Sequence, residues 1–476
     1  MPAAVLDSRM APRLRSRRAV ATVCVLAALP LAALAGCTAG TAPKSAAVAP
    51  KPAAALTAAA VLQPAAASKP ATSAHVAAAA VTAAAPTGLQ FAPQASAAAG
   101  PPPAAIAKFR WSALTRSPLG HRDGPLLAWA NGRLLEFGGW PADSTRRSAA
   151  GAAFDPATGR WRRLANAPAG GSFADRASSS VWTGRYLAVA SGTGAPCPGN
   201  PAPAPHCWTG LALYNPTANR WTVLAVPRQF DGLTMDAVVW TGHDLIVGAA
   251  SPPQANPDAA RLALAAYSPT TRRWQLITPA LPRGHSPGEL NLVYDDERLL
   301  LWSLWQDPAG RGTWGTDVLA MNARGAWRNF TGRWPQGTQF GLTATSDGIM
   351  VAPGEYWCGD LCTGYPTSGA DAYFANPATL ALKRIPAGPL SELDPGFLDF
   401  VWAGDAIIAV STVIGRDGSP GHSILSGDMA LYDPATRRWS DLPATPGHPA
   451  VASTPVWTGT ELLTIASAGT LFAFHH

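Results

Sequence analysis

Residues 106–476 contain short apolar runs that are separated by turn-forming residues. Typical runs are Leu187–Val189, Leu245–Val247 and Leu462–Ile465, and each lies just after a Trp-Thr-Gly triplet. Apolar segments on both sides of such a turn are typical of a β-hairpin. The triplet and its degenerate versions recur at spacings of 51 to 58 residues, beginning at positions 129, 182, 240, 294, 345, 402 and 457. This periodicity predicts seven repeated units.

A second recurring phrase has an aromatic residue, then Asp, Asn or Ser, then Pro, and a Trp a few residues later. It spans Phe154–Trp161, Tyr214–Trp221, Tyr267–Trp274 and Tyr432–Trp439, and a degenerate copy begins at Phe374. The small polar side chain caps a tight turn and Pro presets φ for the next position. The phrase therefore predicts a second hairpin, so that each unit has four strands, called a to d here, and the tryptophans are expected to pack between units.

These units resemble the repeats of the kelch β-propeller family. The resemblance covers 106–476 and rests on a unit of roughly 50 residues with an apolar strand b and a Trp in strand d. The glycine doublet typical of kelch strand b occurs only at Gly138–Gly139, so the repeats are divergent. The resemblance implies an all-β, seven-bladed kelch-type propeller. The last unit lacks strand d, and Phe109–Leu114, which contains Trp111, is predicted to complete it and close the ring.

Residues 1–36 have the pattern of an export signal. Five arginines precede the apolar stretch Ala19–Ala35, and the sequence Leu34-Ala35-Gly36-Cys37 resembles a bacterial lipobox. The resemblance implies cleavage before Cys37, lipidation of its thiol and attachment to the outer face of the bacterial cell membrane. A plain signal peptide or a short membrane anchor with an incidental cysteine is the alternative.

Residues 37–105 are rich in Ala and Pro and contain no acidic residue, which predicts a disordered tether with no binding role. The chain has a formal net charge of +7. The signal and the tether carry all of this excess, so the predicted propeller, 106–476, is about neutral. The charge therefore does not indicate a nucleic-acid partner, and the protein is expected to be a monomer.

Four cysteines fall in the predicted propeller. In an oxidising compartment we expect Cys197 to pair with Cys207 and Cys358 with Cys362, because each pair closes a short loop. A zinc site that joins the two pairs is the alternative, although their spacing is unlike that of common zinc sites.

Strands alternate in direction within a blade, so all loops between strands b and c lie on one face of the predicted ring. These loops are long and irregular, whereas the turns on the opposite face are short. The long loops span 139–151, 190–210, 248–262, 303–316, 352–370 and 411–428. Long loops gathered on one face of a rigid scaffold predict a binding surface.

Aromatic and charged residues of these loops and of the starts of strand a are the candidate ligand-binding residues. The set is Trp140, Trp208, Trp305, Tyr356, Trp357, Arg122, Asp175, Arg176, His285 and Glu355. The aromatic side chains could stack on a sugar or a peptide, or cover the core. The charged side chains could surround a central pocket, or form salt bridges between blades.

Two classes of function fit this pattern. The first is a binding module for a glycan, a cell-wall polymer or a protein. The second is a carbohydrate-active enzyme of epimerase, mutarotase or oxidase type, because kelch-like propellers include the galactose oxidase family and sialic-acid epimerases. A galactose oxidase copper site needs a free thiol, and all four propeller cysteines have a predicted partner. We therefore expect no cofactor and no metal.

Overall fold

The chain forms an all-β, seven-bladed propeller, so the fold class predicted from the sequence is confirmed. All described residues belong to the unit Pro70–His476. The computed structural model describes residues 76–77, 80–81, 102–142, 144, 147–168, 179–191, 210–251, 261–282, 285–295, 298–306, 314–331, 339–345, 348–354, 372–376, 379–386, 398–411, 429–446, 454–466 and 468–476.

Each blade is an antiparallel sheet of four strands in the order a, b, c and d. Blade 1 has Leu126–Ala130, Arg133–Phe137, Gly151–Asp155 and Arg160–Leu164, and blade 2 has Ser179–Trp182, Leu187–Ser191, Gly210–Asn215 and Arg220–Leu224. Blade 3 has Thr234–Trp240, Leu245–Ala250, Leu262–Ser268 and Arg273–Ile277. Blade 4 has Ser286–Tyr294, Arg298–Gln306, Trp314–Asn322 and Trp327–Asn329. Blade 5 has Gln339–Thr345, Gly348–Gly354, Tyr373–Ala375 and Leu382–Arg384, and blade 6 has Leu398–Trp402, Ile407–Ser411, Met429–Asp433 and Arg438–Leu442.

Blade 7 combines both ends of the described propeller. Its strands a to c are Val456–Trp457, Leu462–Ile465 and Thr470–His475, and Arg110–Arg116 pairs with the last of these as strand d. An apolar cluster lies between every two successive blades, and one cluster joins blade 7 to blade 1. The core is therefore distributed around the ring between the blades.

The Asp-Pro phrase forms the turn between strands c and d. Its two aromatic residues lie directly opposite each other, as Tyr214 does with Trp221 and Tyr432 with Trp439. Their ring centroids lie 5.0 and 5.1 Å apart. The Asp433 carboxylate accepts a hydrogen bond of 2.9 Å from the Ala435 N–H, which is the cap expected of Asp before Pro.

The tryptophans of strand d connect neighbouring blades. The indole Nε1 of Trp221 donates to the Ala165 carbonyl at 3.2 Å, and Trp439 donates to the Pro386 carbonyl at 2.9 Å. Trp274 and Trp111 make the same bond, at 2.9 Å, to Ala225 and Pro443 respectively. Each acceptor follows strand d of the preceding blade, so this repeated residue links blades as well as filling the core.

Two short stretches of the predicted tether are paired with the propeller. Val76–Ala77 runs parallel to strand d of blade 2, and Ala80–Val81 runs parallel to strand d of blade 3. One helical turn, Pro103–Ile106, precedes the first propeller strand. Among the residues that the structure describes, no helix has the length and apolar character needed to cross a lipid bilayer.

Candidate functional site

The candidate site lies at the end of blade 4 where strand b passes into strand c. Strands a, b and c of this blade have nine residues each. His285 directly precedes strand a, Trp305 is next to the last residue of strand b, and Thr331 lies just past strand d. Because strands alternate in direction, these positions come together at one end of the sheet, on the face that the sequence predicts to bind.

His285 and Asp317 form a partly buried hydrogen-bonded pair at this end. The imidazole Nδ1 of His285 lies 2.9 Å from Oδ1 and 3.0 Å from Oδ2 of Asp317. The Asp317 side chain is 2% exposed, whereas the His285 side chain keeps 23% of its surface exposed. The carboxylate is thus inside the blade and the imidazole forms the boundary with solvent.

Thr331, just past strand d, also holds the carboxylate. The Thr331 hydroxyl donates to Oδ1 of Asp317 at 3.2 Å and accepts a bond from the Val318 N–H, also at 3.2 Å. The Thr331 N–H donates to Oδ1 of Asn329 at 2.7 Å. Burial raises the pKa of Asp317, and the bonds from His285 and Thr331 act in the opposite direction because they favour the ionised form.

Trp305 supports the imidazole. Its indole stacks on the His285 ring with centroids 3.9 Å apart and an interplanar angle of 19°. The indole also covers Gly315, its partner across the strand pair, where an added Cβ would lie 2.0 Å from the ring. Part of the aromatic surface that the sequence offers to a ligand is therefore occupied by His285, and the ring fixes the position of that side chain.

Arg122 and Trp140 lie at the corresponding end of blade 1. Arg122 is 7% exposed, and its guanidinium donates to the Gly138 carbonyl at 3.0 Å and to the Leu119 carbonyl at 3.2 Å. Its contacts thus join the segment before strand a to the end of strand b. The Arg147 guanidinium lies 5.0 Å from the centroid of Trp140, a cation–π contact.

Glu136, in strand b of blade 1, is a buried acid that the sequence analysis did not single out. It is fully buried, the Ser117 hydroxyl donates to its Oε2, and Oε1 has no hydrogen-bond partner among the described residues. Burial raises its pKa to about 7, against smaller opposite effects of the Ser117 bond and the Arg122 charge. The available signal was its position inside the apolar run Leu134–Phe137.

The structure thus brings two of the predicted residues, His285 and Trp305, into contact, and it places Arg122 and Trp140 in a different blade. Asp317 and Thr331, which are hydrogen-bonded to each other and, through Asp317, to His285, were not among the predicted residues. The other predicted residues lie outside the described part of the chain: Trp208, Tyr356, Trp357, Asp175, Arg176, Glu355, Cys37, Cys197, Cys207, Cys358 and Cys362.

Within the described ranges, no three His, Cys, Asp or Glu side chains are grouped so that they could hold a metal ion. Comparison with protein-family models gives no match, and a search of curated proteins finds no similar sequence.

Proposed function

We propose that this protein is a lipid-anchored, extracytoplasmic propeller that binds a glycan, a cell-wall polymer or a protein through the face carrying the b–c loops. The observation that carries the proposal is the contrast between the two faces. Among the described residues, the opposite face has tight, side-chain-capped turns such as that of Asp433. The b–c end of blade 4 instead holds an oriented imidazole at the solvent boundary, next to an aromatic ring. Fixed polar groups beside aromatic surface are typical of ligand sites.

The loop face is tested with the double variant Trp208→Ala, Trp357→Ala in the full-length protein. Binding is measured on a glycan array and on purified bacterial cell wall. We expect the double variant to lose binding, whereas Thr217→Ala, in the exposed c–d turn of blade 2, keeps it. Equal binding by the two variants, or no binding by the unsubstituted protein to either material, would count against this face as the binding surface.

The membrane anchor has a separate test. The Leu34-Ala35-Gly36-Cys37 sequence supports lipidation at Cys37, so Cys37→Ala should move the protein from the membrane fraction to the soluble fraction. Unchanged membrane retention of Cys37→Ala would contradict the lipid anchor and leave the loop-face proposal standing.

A further inference from the structure

We propose that His285 is a general base whose Nε2 takes a proton from a hydroxyl group, either of water or of an alcohol, that is bound at the b–c end of blade 4. Asp317 and Trp305 are positioning residues for this imidazole. This inference goes beyond ligand binding and does not depend on the identity of the propeller's ligand.

The hydrogen bond to Asp317 determines which nitrogen of His285 carries the proton. An ionised carboxylate only accepts hydrogen bonds, so the Nδ1 atom that faces Asp317 must carry the proton. In the neutral imidazole, Nε2 then holds the lone pair. Nε2 of His285 has no hydrogen-bond partner among the described residues, and the side chain is 23% exposed, so this lone pair is available to an incoming molecule.

Asp317 also stabilises the charged product of the proton transfer. When the hydroxyl O–H bond breaks, its electron pair stays on oxygen, the proton forms an Nε2–H bond, and the ring becomes an imidazolium. The buried carboxylate of Asp317, held by Thr331 as well as by His285, lies 2.9 Å from Nδ1 and stabilises this positive charge. This oxygen attacks the carbonyl carbon of an ester, the C–O bond to the ester's alkoxide breaks, and the departing alkoxide takes the proton from Nε2.

The repeat does not require an acid at position 317. Asp317 lies four residues before Met321, which is opposite the strand d tryptophan of blade 4. Gly210 and Ala263 hold the same position in blades 2 and 3. A small residue is sufficient for the blade to fold there. A buried acid costs desolvation free energy, and here it is placed where it orients a histidine.

His243 provides a matched control within the same chain. Its Nδ1 lies 3.1 Å from Oδ1 of Asp244, but the contact does not have hydrogen-bond geometry, and Nδ1 is a buried nitrogen without a partner in the described residues. Asp244 belongs to the a–b turn of blade 3, on the opposite face. Both histidines therefore lie beside an aspartate. Of the two, His285 forms a hydrogen bond to its aspartate and His243 does not.

The test uses hydrolysis of p-nitrophenyl acetate by the full-length protein, because an available imidazole lone pair accelerates this reaction. We expect His285→Gln to lower the protein-catalysed rate at least tenfold and Asp317→Asn to lower it by a similar factor, while His243→Gln leaves it unchanged. Circular dichroism checks that each variant is folded. Equal rates for His285→Gln and His243→Gln would overturn the proposal.

Nitrogen NMR of histidine-labelled protein gives a readout that a merely structural role would not produce. We expect His285 to be protonated at Nδ1 with Nε2 bare, and Asp317→Asn to abolish this preference. A His285 signal with the proton on Nε2 in the unsubstituted protein would refute the assignment. Loss of ester hydrolysis in His285→Gln with full retention of cell-wall binding would separate this activity from the binding function.

Discussion

Glu136 allows the strongest quantitative prediction, because this acidic residue is 0% exposed in strand b of blade 1, between the buried residues Leu135 and Phe137. The Ser117 hydroxyl and the Arg122 charge favour the ionised form, but burial outweighs both and raises the pKa to about 7. In the unfolded chain the same group has a pKa near its ordinary value of 4.5. Folding therefore increases the affinity of this carboxyl group for a proton.

The sign and the size of the effect follow from proton linkage. Between pH 4.5 and about 7 the native protein binds more protons at Glu136 than the unfolded chain does. The free energy of unfolding therefore falls as the pH rises through this window. Each pH unit of difference in pKa corresponds to about 1.4 kcal/mol, so the loss is on the order of 3 kcal/mol by pH 8.

Glu136→Gln removes this contribution because the amide does not titrate. Urea unfolding of the full-length protein and of the variant, from pH 4 to pH 8, gives their difference in unfolding free energy. We expect the variant to gain about 3 kcal/mol relative to the unsubstituted protein across this range. Thr217→Ala, at an exposed position in the c–d turn of blade 2, is the control, and its difference should change little with pH because neither side chain titrates. A flat difference for Glu136→Gln would refute the argument, because the carboxyl group would then titrate alike in both states.

Two further predictions concern the repeated phrase. Trp439→Phe removes the indole bond to the Pro386 carbonyl, whereas Trp161 Nε1 has no hydrogen-bond partner in the described residues. Urea unfolding should therefore show a loss of unfolding free energy about 1 kcal/mol larger for Trp439→Phe than for Trp161→Phe. Equal losses would mean that the inter-blade bond contributes nothing. Arg437 has φ +58° in the turn position where Gly159 has φ +64°. Arg437→Gly should therefore raise the unfolding free energy and Gly159→Ala should lower it, each by about 1 kcal/mol. A lower unfolding free energy for Arg437→Gly would contradict left-handed strain in this turn.

The fold could be predicted from the sequence because its signals are local. Asp433, Pro434 and Trp439 lie within one short hairpin, and the polar cap, the preset φ and the cross-strand aromatic pair all depend on neighbours in sequence. Repetition of the Trp-Thr-Gly triplet and its degenerate versions then gave the number of blades. The structure agrees in detail: the hairpin has the predicted turn and the predicted pairing.

The candidate site could be predicted only in part, because its contacts connect separate strands. His285 was selected as a charged residue near the start of strand a, and Trp305 as a loop aromatic. The stacking of these two side chains and the hydrogen bond between His285 and Asp317 both depend on three strands meeting at one end of blade 4. Arg122 shows the opposite case, because its charge suggested a ligand contact while its guanidinium is bound to two backbone carbonyls.

Two buried acids depart from the repeat: one affects the stability of the protein and the other affects the chemistry of the b–c face. Glu136 and Asp317 both lie in central strands, and burial raises the pKa of both. Glu136 is fully enclosed and its described neighbours, Ser117 and Arg122, belong to the segment that enters blade 1, so its effect is on stability. Asp317 is enclosed as well, but its partner His285 reaches solvent. Of these two acids, only Asp317 is hydrogen-bonded to a group that a ligand can contact. We therefore expect substitutions at Asp317 to change the chemistry of the face and substitutions at Glu136 to change the pH dependence of unfolding.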